Sequence, residues 1–507
     1  MTLRFIASLL PPLATGILLA FLFCPSLKNT AAGRAFALFA GAGLGLGVAS
    51  CLAFLCLLAG VNRSLPVIDL AVALAAGIAC FLAFRQPAAG EARPLPETRK
   101  RSRFAPLLAG IFSLELIASA ASFILAFLKE PHGRWDAWLI WNMHARFIFR
   151  GGDHWRDAFA SGLDWSHWDY PLLLPLAIAR SWGYMGGESL PVPAVMAFIF
   201  TFLTLGLLCS SLCLLRSGSQ GYLAAMVLMG TPFFIGMGAS QFADLPLAFF
   251  ILTTLALLLF PARSAAGCPG ALILAGLAAA LCAWTKNEGL LFLLVAAAGL
   301  FGITLPAGGG KQAFRRTAAF LAGALPVLLI VIYFKLRLAP TNDLMAGFNW
   351  DALSGKLFDW DRYEAIARAF FITGISFTQG LVDVRVGMHL NPGAVGIILL
   401  AVYLLFTGVR IDRGDRPFLL QTGAILLMML AGYFFIYVMT PLDLTYHLIT
   451  SLNRLFLQLW PSVILLVFMI AQTPEESFPE HMTAAAPSQT KPRPAKGKKR
   501  PRNPEVT

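Results

Sequence analysis

The sequence predicts an all-α polytopic integral membrane protein with about thirteen transmembrane helices. Three observations carry this. Hydrophobic residues make up 58% of the 507-residue chain and charged residues only 13%, where soluble proteins carry roughly 25% charged. Mean hydropathy is +0.73. Apolar runs of span length recur along the chain, and Lys and Arg gather in alternate loops between them.

The spans follow from length. A run of roughly 17–25 apolar residues matches the hydrocarbon thickness. Such runs lie at roughly 4–24, 34–60, 67–85, 105–128, 191–215, 220–238, 243–260, 268–284, 288–305, 316–334, 393–409, 417–439 and 455–472. The most basic internal loop, "RQPAAGEARPLPETRKRSR" (85–103), is assigned to the cytoplasmic side. Alternation then puts inside Lys28 with Arg34, Arg216, Arg263, Lys311 with Arg315 and Arg316, and Arg410 with Arg413 and Arg416. The tail after 472 falls inside as well, and its "KPRPAKGKKRPR" reads as a basic disordered segment near anionic lipid. The N-terminus falls outside. Topology thus accounts for the net charge of +13, and nucleic acid is not an expected partner. The first apolar run lacks a small-residue cleavage site, so no cleaved signal peptide is expected. The expected location is a bacterial cytoplasmic membrane. The eight cysteines lie in or beside apolar runs without metal-ligand company and read as small apolar fillers.

This divides the chain into three N-terminal helices with a basic loop (1–104), a core of seven spans (105–334), an outer loop (335–392), three C-terminal helices (393–472) and the tail (473–507). The core carries its own outer loop at 129–190, and the unusual polar residues gather on that outer side. "GRWDAWLIWNMHARFIFRGGDHW" (133–155) holds four tryptophans, three arginines, two aspartates and two histidines. A helix over 136–150 advances about 100° per residue. Asp136, Asn142, Arg146 and Arg150 then share a polar arc of about 120°. Trp138, Trp141, Ala145, Ile148 and Phe149 centre on the opposite face, which predicts an amphipathic helix lying in the membrane interface. Asp136 has two readings: a carboxylate favouring the helix dipole, or an acid offered to a site. The loop ends in "DWSHWDYPLLLPL" (164–176). There Asp169 is either a cap before a proline-started helix or, with His167, Trp168 and Tyr170, part of a second polar-aromatic cluster.

Three further signals lie at the outer edge. "SQFADLPLAFF" sets Asp244 at a span start, where an N-cap with Pro246 in the first turn is a complete account. In "AWTKNEGLLF", Thr285 and Glu288 have capping-box spacing. Lys286 between them opposes the positive-inside trend and suits a phosphate at a helix N-terminus. "TYHLITSLNRLFLQLWP" adds His447 and Arg454 at the outer start of the last span, Arg454 either snorkelling or serving as a second cation for an anionic headgroup. The second outer loop repeats an aromatic-acid pair, Trp350-Asp351 and Trp360-Asp361, which suits glycan contact and equally an ordinary amphipathic helix.

The runs "RWDAWLIWNMHAR", "HWDYPLLLPL", "ADLPLAFF", "TKNEG" and "HLITSLNRLFLQLWP", in this order and on one side, resemble those of polytopic GT-C superfamily glycosyltransferases. The chain is similar to bacterial members of the protein-mannosyltransferase and aminoarabinose-transferase families over about 105–470. The resemblance implies a GT-C-like core of seven spans, here 105–334, with amphipathic helices in its first periplasmic loop. It also implies transfer of a sugar from a polyprenyl-phosphate donor to an acceptor outside the cytoplasmic membrane. Asp136 becomes the catalytic base, with Asp169 near the acceptor or donor sugar.

The expected chemistry is a single inverting displacement. A carboxylate, Asp136 first and Asp169 second, takes the acceptor proton, and Lys286 and Arg454 bind the departing phosphate. Trp135, Arg146, His167, Tyr170, Asp244, Glu288 and His447 complete the substrate-binding set. No Cys or His cluster has metal-ligand spacing. The cofactor left open is Mg²⁺ or Mn²⁺ between Asp136 and Asp169. Expected partners are the lipid-linked donor, a glycan, lipid or protein acceptor, and membrane lipids. The alternatives are a transporter or flippase for lipid-linked sugars, an envelope glycan polymerase or ligase, and a non-catalytic scaffold. Transport calls for ionisable residues at mid-span and broken helices, and the span interiors read as nearly free of charge.

Overall fold

The structure, a computed structural model, describes residues 3–85, 105–159, 166–260, 268–341, 350–376 and 395–477. The basic loop around Arg99, Arg263, Asn342 and the tail from 478 lie outside the described residues. Among those described there is no strand, only an isolated bridge between Val409 and Ala471. The protein is an all-α membrane protein.

The helices are α1 (Leu3–Phe23), α2 (Ala31–Leu58), α3 (Leu65–Arg85), α4 (Ala105–Lys129), α5 (Asn142–Gly151), α6 (Leu173–Met185), α7 (Pro191–Leu215), α8 (Gly218–Met229) and α9 (Pro232–Ala239). They continue as α10 (Asp244–Leu259), α11 (Pro269–Thr285), α12 (Asn287–Arg337), α13 (Trp350–Leu357), α14 (Trp360–Ser376), α15 (Val395–Thr407), α16 (Arg416–Met439) and α17 (Leu444–Ile470). Eight are long and apolar enough to cross a membrane, or nine if the bent pair α8–α9 counts as one span. Every expected span falls on helix, but not as thirteen separate long ones. The runs 288–305 and 316–334 share α12, which breaks at Gly309, whose φ of +76° only glycine adopts freely. α8 and α9 meet at 66° before Pro232. α10 and α11 have 16 and 17 residues. Every residue of α10 is buried, so other helices, not lipid, surround it.

Tight helix pairs depend on small residues. Between α1 and α2, a Cβ at Gly16 would overlap the Gly41 carbonyl, and one at Gly45 the Pro12 carbonyl. In a lipid-like interior such close backbone approach supplies the van der Waals contact that holds helices together.

The sequence reading left α6 inside a loop. Here it is a helix buried from Leu173 to Trp182 and packed on α1, α2 and α5. It carries a charge into that setting. Arg180 binds the Asp69 carboxylate of α3, and its other amino group donates to the Ser8 carbonyl of α1 at 2.7 Å. Tyr184 donates to the same carboxylate at 2.6 Å. Both charged side chains are 1% exposed. The expectation of nearly charge-free helix interiors therefore needs two amendments: this pair, and Glu115 in α4. At the far end of α7 and α17, Arg216 donates to the Ala471 carbonyl at 2.6 Å, and Arg410 pairs with Glu476 at 3.3 Å.

A buried pair is costly to break and inexpensive to replace. Arg180→Met alone leaves Asp69 unpaired and should destabilise the protein by about 3–5 kcal/mol. Arg180→Met with Asp69→Leu should recover most of that loss in thermal unfolding of the full chain in detergent.

Candidate active site

A fully buried carboxylate organises the other end of the helices. Asp244, the first residue of α10, is 0% exposed. It accepts hydrogen bonds from Lys286 Nζ at 3.0 Å, Gln458 Nε2 at 2.7 Å, and Arg454 Nε and Nη2 at 3.1 and 2.9 Å. Gln458 lies one turn after Arg454 on the same face of α17 and accepts from the Tyr433 hydroxyl of α16 at 2.8 Å. The two cations reach further carboxylates: Arg454 Nη1 binds Asp136 at 2.7 Å, and Lys286 binds Glu288 at 3.0 Å. Burial pushes the Lys286 ammonium towards neutrality, but Asp244 and Glu288 outweigh it and hold its pKa above the usual lysine value.

Asp169 stands beside this network. Its carboxylate accepts from Asn287 Nδ2 at 2.7 Å, and Lys335 lies 3.9 Å away. Lys335 also donates to the Asp169 carbonyl and, at 2.6 Å, to Asn287 Oδ1. Tyr170 stacks between Trp141 and His167, with ring centroids 5.5 and 5.2 Å away, and its ring lies 5.9 Å from Lys286 Nζ. Burial first, then the Glu288 and Asp169 charges, push the Tyr170 hydroxyl well above the usual phenol range. The rim is accessible where the centre is not: Asp136 is 20% exposed, Arg454 18% and Lys335 27%, against 0% for Asp244 and 4% for Lys286.

Asp136, Asp244, Lys286, Glu288 and Arg454 thus lie in one network, with Asp169 and Lys335 beside it and Tyr170, stacked on His167, next to Lys286. His447 sits one turn from the start of α17, on the Tyr437 ring at 4.8 Å, with Nδ1 2.9 Å from Thr440 Oγ1. Arg454 lies well inside α17 rather than at its start, because that helix begins at Leu444, before the apolar run at 455. Two expected residues lie elsewhere. Arg146 pairs with Glu188 at 3.5 Å, and Trp135, 66% exposed, packs edge-on against Trp138. Lys335, Asn287, Gln458 and Tyr433 were not foreseen. Lys335 carried the same signal as Lys286, a lysine at an outer helix end, and Asn287 stands inside "TKNEG".

The three capping readings, at Asp169, Asp244 and Thr285 with Glu288, fail. The N-cap positions of α10 and α6 belong to Ala243 and Leu172, and Asp136 makes no side-chain cap. Thr285 donates back to the Leu281 carbonyl at 2.7 Å while Glu288 turns to Lys286. A cap contributes about 1 kcal/mol, whereas charge-assisted bonds in a sheltered site are worth more.

The helix over 136–150 also differs from expectation. Ala137–Trp141 form a π turn, which inserts a residue and rotates everything after it by about 100°. Asn142 therefore moves from the polar arc into the interior, 1% exposed and donating to Gln241 at 2.9 Å, while Trp138 is 43% exposed. In the second loop the side chains of Trp350 and Asp351 lie outside the description. Arg362 and Lys356 instead dock α14 and α13 onto α16, donating to the carbonyls of Tyr437 at 2.7 Å and Thr440 at 2.8 Å.

Among the described residues no group of three or more His, Cys, Asp or Glu side chains is placed to hold a metal ion. Asp136 and Asp169 face cationic side chains instead, so the present donor set does not fit a Mg²⁺ or Mn²⁺ ion.

His144 gives the loop a pH response. It is fully buried, stacked 3.7 Å from Trp168, with Nε2 2.9 Å from the Ser166 carbonyl. Burial pushes its pKa down to about 3. The unfolded chain takes up a proton near pH 6.5 while the folded loop stays neutral, so stability falls as pH drops below that value. Between pH 7 and 5 the loss should be about 2 kcal/mol. Melting curves across this range should show the slope in the native chain and a much smaller one in His144→Phe.

No protein-family model matches the chain, no curated protein does, and no solved structure does; what the site can do is read from its own geometry.

Proposed function

We propose that the chain is a membrane glycosyltransferase that moves a sugar from a polyprenyl-phosphate donor to an envelope acceptor: lipid A or its core, a polysaccharide, or a protein. The observation that carries this reading is the arrangement of charges at one end of the helices. A buried carboxylate holds two cations in place, and one of them, Arg454, extends to a partly exposed acid, Asp136. The cell would be bacterial, the site periplasmic, the chain crossing thirteen times with its N-terminus outside and its C-terminus in the cytoplasm. Residues 105–334 would form the GT-C-like core.

The reaction is an inverting displacement. The acceptor oxygen forms a bond to the anomeric carbon, its proton passes to the Asp136 carboxylate, and the bond to the phosphate oxygen breaks with its electron pair. Arg454, already shared by Asp136 and Asp244, turns towards the phosphate as charge builds there. Lys286 shares the Asp244 charge with Arg454 and so frees part of that guanidinium for the phosphate, and Asp169 with Lys335 bounds the sugar. An envelope glycan polymerase or ligase would use the same groups.

One observation favours transport as a second reading. Glu115 lies inside α4 opposite the break between α8 and α9, close to Gly230. An acid beside a broken helix is the arrangement transporters use.

The test is release of polyprenyl phosphate from a panel of polyprenyl-phosphate sugars with lipid A, polysaccharide and protein acceptors supplied. Folded Asp136→Asn should lose about 10²–10⁴ in rate, and Glu115→Gln should be unaffected. A wild-type rate in Asp136→Asn would remove it as the base. No release by the native chain, together with movement of a labelled polyprenyl-phosphate sugar across a vesicle membrane that Glu115→Gln loses, would favour transport.

A further inference from the structure

A second concavity lies apart from the charged network. It is an open cleft of about 840 Å³ bounded by the end of α4, α5 and the turn joining α6 to α7. That size suits a sugar or a short oligosaccharide. Its lining includes His132, Trp138, Arg146, Arg150, Trp182 and Glu188. Three features describe the ligand.

The first is charge. Arg150 meets both oxygens of Glu188, with Nη2 at 3.0 Å, and Arg146 reaches the same carboxylate with Nε at 3.5 Å. Glu130, also on the wall, is paired with Arg134 at 3.1 Å. Two guanidiniums therefore share a single carboxylate, and the cleft carries an excess positive charge. The second is surface. Trp138 is 43% exposed beside the buried Ala137 and Trp141, and an exposed indole face is the surface on which a pyranose ring stacks. The third is position. The turn from Gly133 to Trp138 forms one wall of the cleft and also carries Asp136, whose carboxylate reaches Arg454. Its backbone is tied to the α9–α10 turn by Arg134 N to the Ser240 carbonyl at 3.2 Å, and by Gln241 to the Pro131 carbonyl at 3.1 Å.

We propose that this cleft binds an acidic sugar of the acceptor, the ring on Trp138 and its carboxylate or phosphate on Arg146 and Arg150. The assignment rests on the transferase reading above and adds a substrate class to it. Glu188 accepts from ring hydroxyls and keeps the two guanidiniums in place until the ligand arrives.

Binding is measured on the full chain in phosphatidylcholine nanodiscs by tryptophan fluorescence and calorimetry, with no donor present. This keeps the result independent of turnover, so the cleft and the transferase reading can fail separately. The probes are a hyaluronan tetrasaccharide against N-acetylchitotetraose, mannose 6-phosphate against mannose, and inorganic phosphate alone. At least one acidic probe should bind tenfold more tightly than its neutral counterpart and than phosphate. Arg146→Gln should remove that preference, and Trp138→Ala, at an exposed position, should weaken both members of the pair. Equal binding of acidic and neutral probes, or an acidic preference unchanged in Arg146→Gln, would overturn the proposal. So would loss of the preference in phosphatidylglycerol nanodiscs, because the cleft would then be a lipid-headgroup site.

Discussion

Asp244 is the constraint on which the rest of the site depends. A carboxylate without water must collect its partners from the protein, because an isolated buried charge costs several kcal/mol. Its donors come from two places far apart in sequence: Lys286 at the α11–α12 turn, and Arg454 with Gln458 one turn apart on α17. Satisfying one acid thereby fixes the relative position of α10, α12 and α17. It also leaves each cation with bonding capacity directed outward, Arg454 to Asp136 and Lys286 to Glu288. The rim acids are held by the same cations that neutralise the centre. Any anion entering at Arg454 competes with Asp136 and leaves that acid available to a hydroxyl. On the proposed reading, binding of a phosphate and release of a base are one event.

The loop that carries Asp136 and Asp169 needs support from below, and α6 gives it. The helix starts four residues after Asp169 and is anchored by Arg180 to α1 and α3. The three N-terminal helices therefore act on the site at a distance. Their ion pair fixes the floor on which Trp141, Tyr170 and the Asp169 turn are stacked.

Much of this was legible in the sequence because charge is rare in it. In a chain so poor in acids and bases, those near helix ends carry a strong signal, as at Asp136, Asp169, Asp244, Lys286, Glu288 and Arg454, although Lys335 carries it too and was passed over. Their roles were less legible. Cap signatures were read at three of them, Asp169, Asp244 and Glu288, because spacing along the chain cannot show a cation arriving from another helix. The π turn could not be read either, since periodicity assumes an unbroken register, and so Asn142 and Trp138 exchanged environments. α6 was read as a proline-started helix within the outer loop and not as part of the packed core, because 13 residues fall short of a span and a helix wrapped by protein needs no span length. Arg180 and Asp69 were invisible as a pair for the same reason that Lys335 and Asp169 were: their partners lie more than a hundred residues away.

The central claim is that the Asp244 network is where a lipid phosphate is bound. A density map of the full chain with a bound polyprenyl phosphate measures this directly. The account predicts the phosphate within about 3 Å of Arg454, with the Asp136 carboxylate no longer paired to that guanidinium. A phosphate at the opposite end of the helices, against Arg216 and Arg410, with the Asp136–Arg454 pair intact, would contradict it.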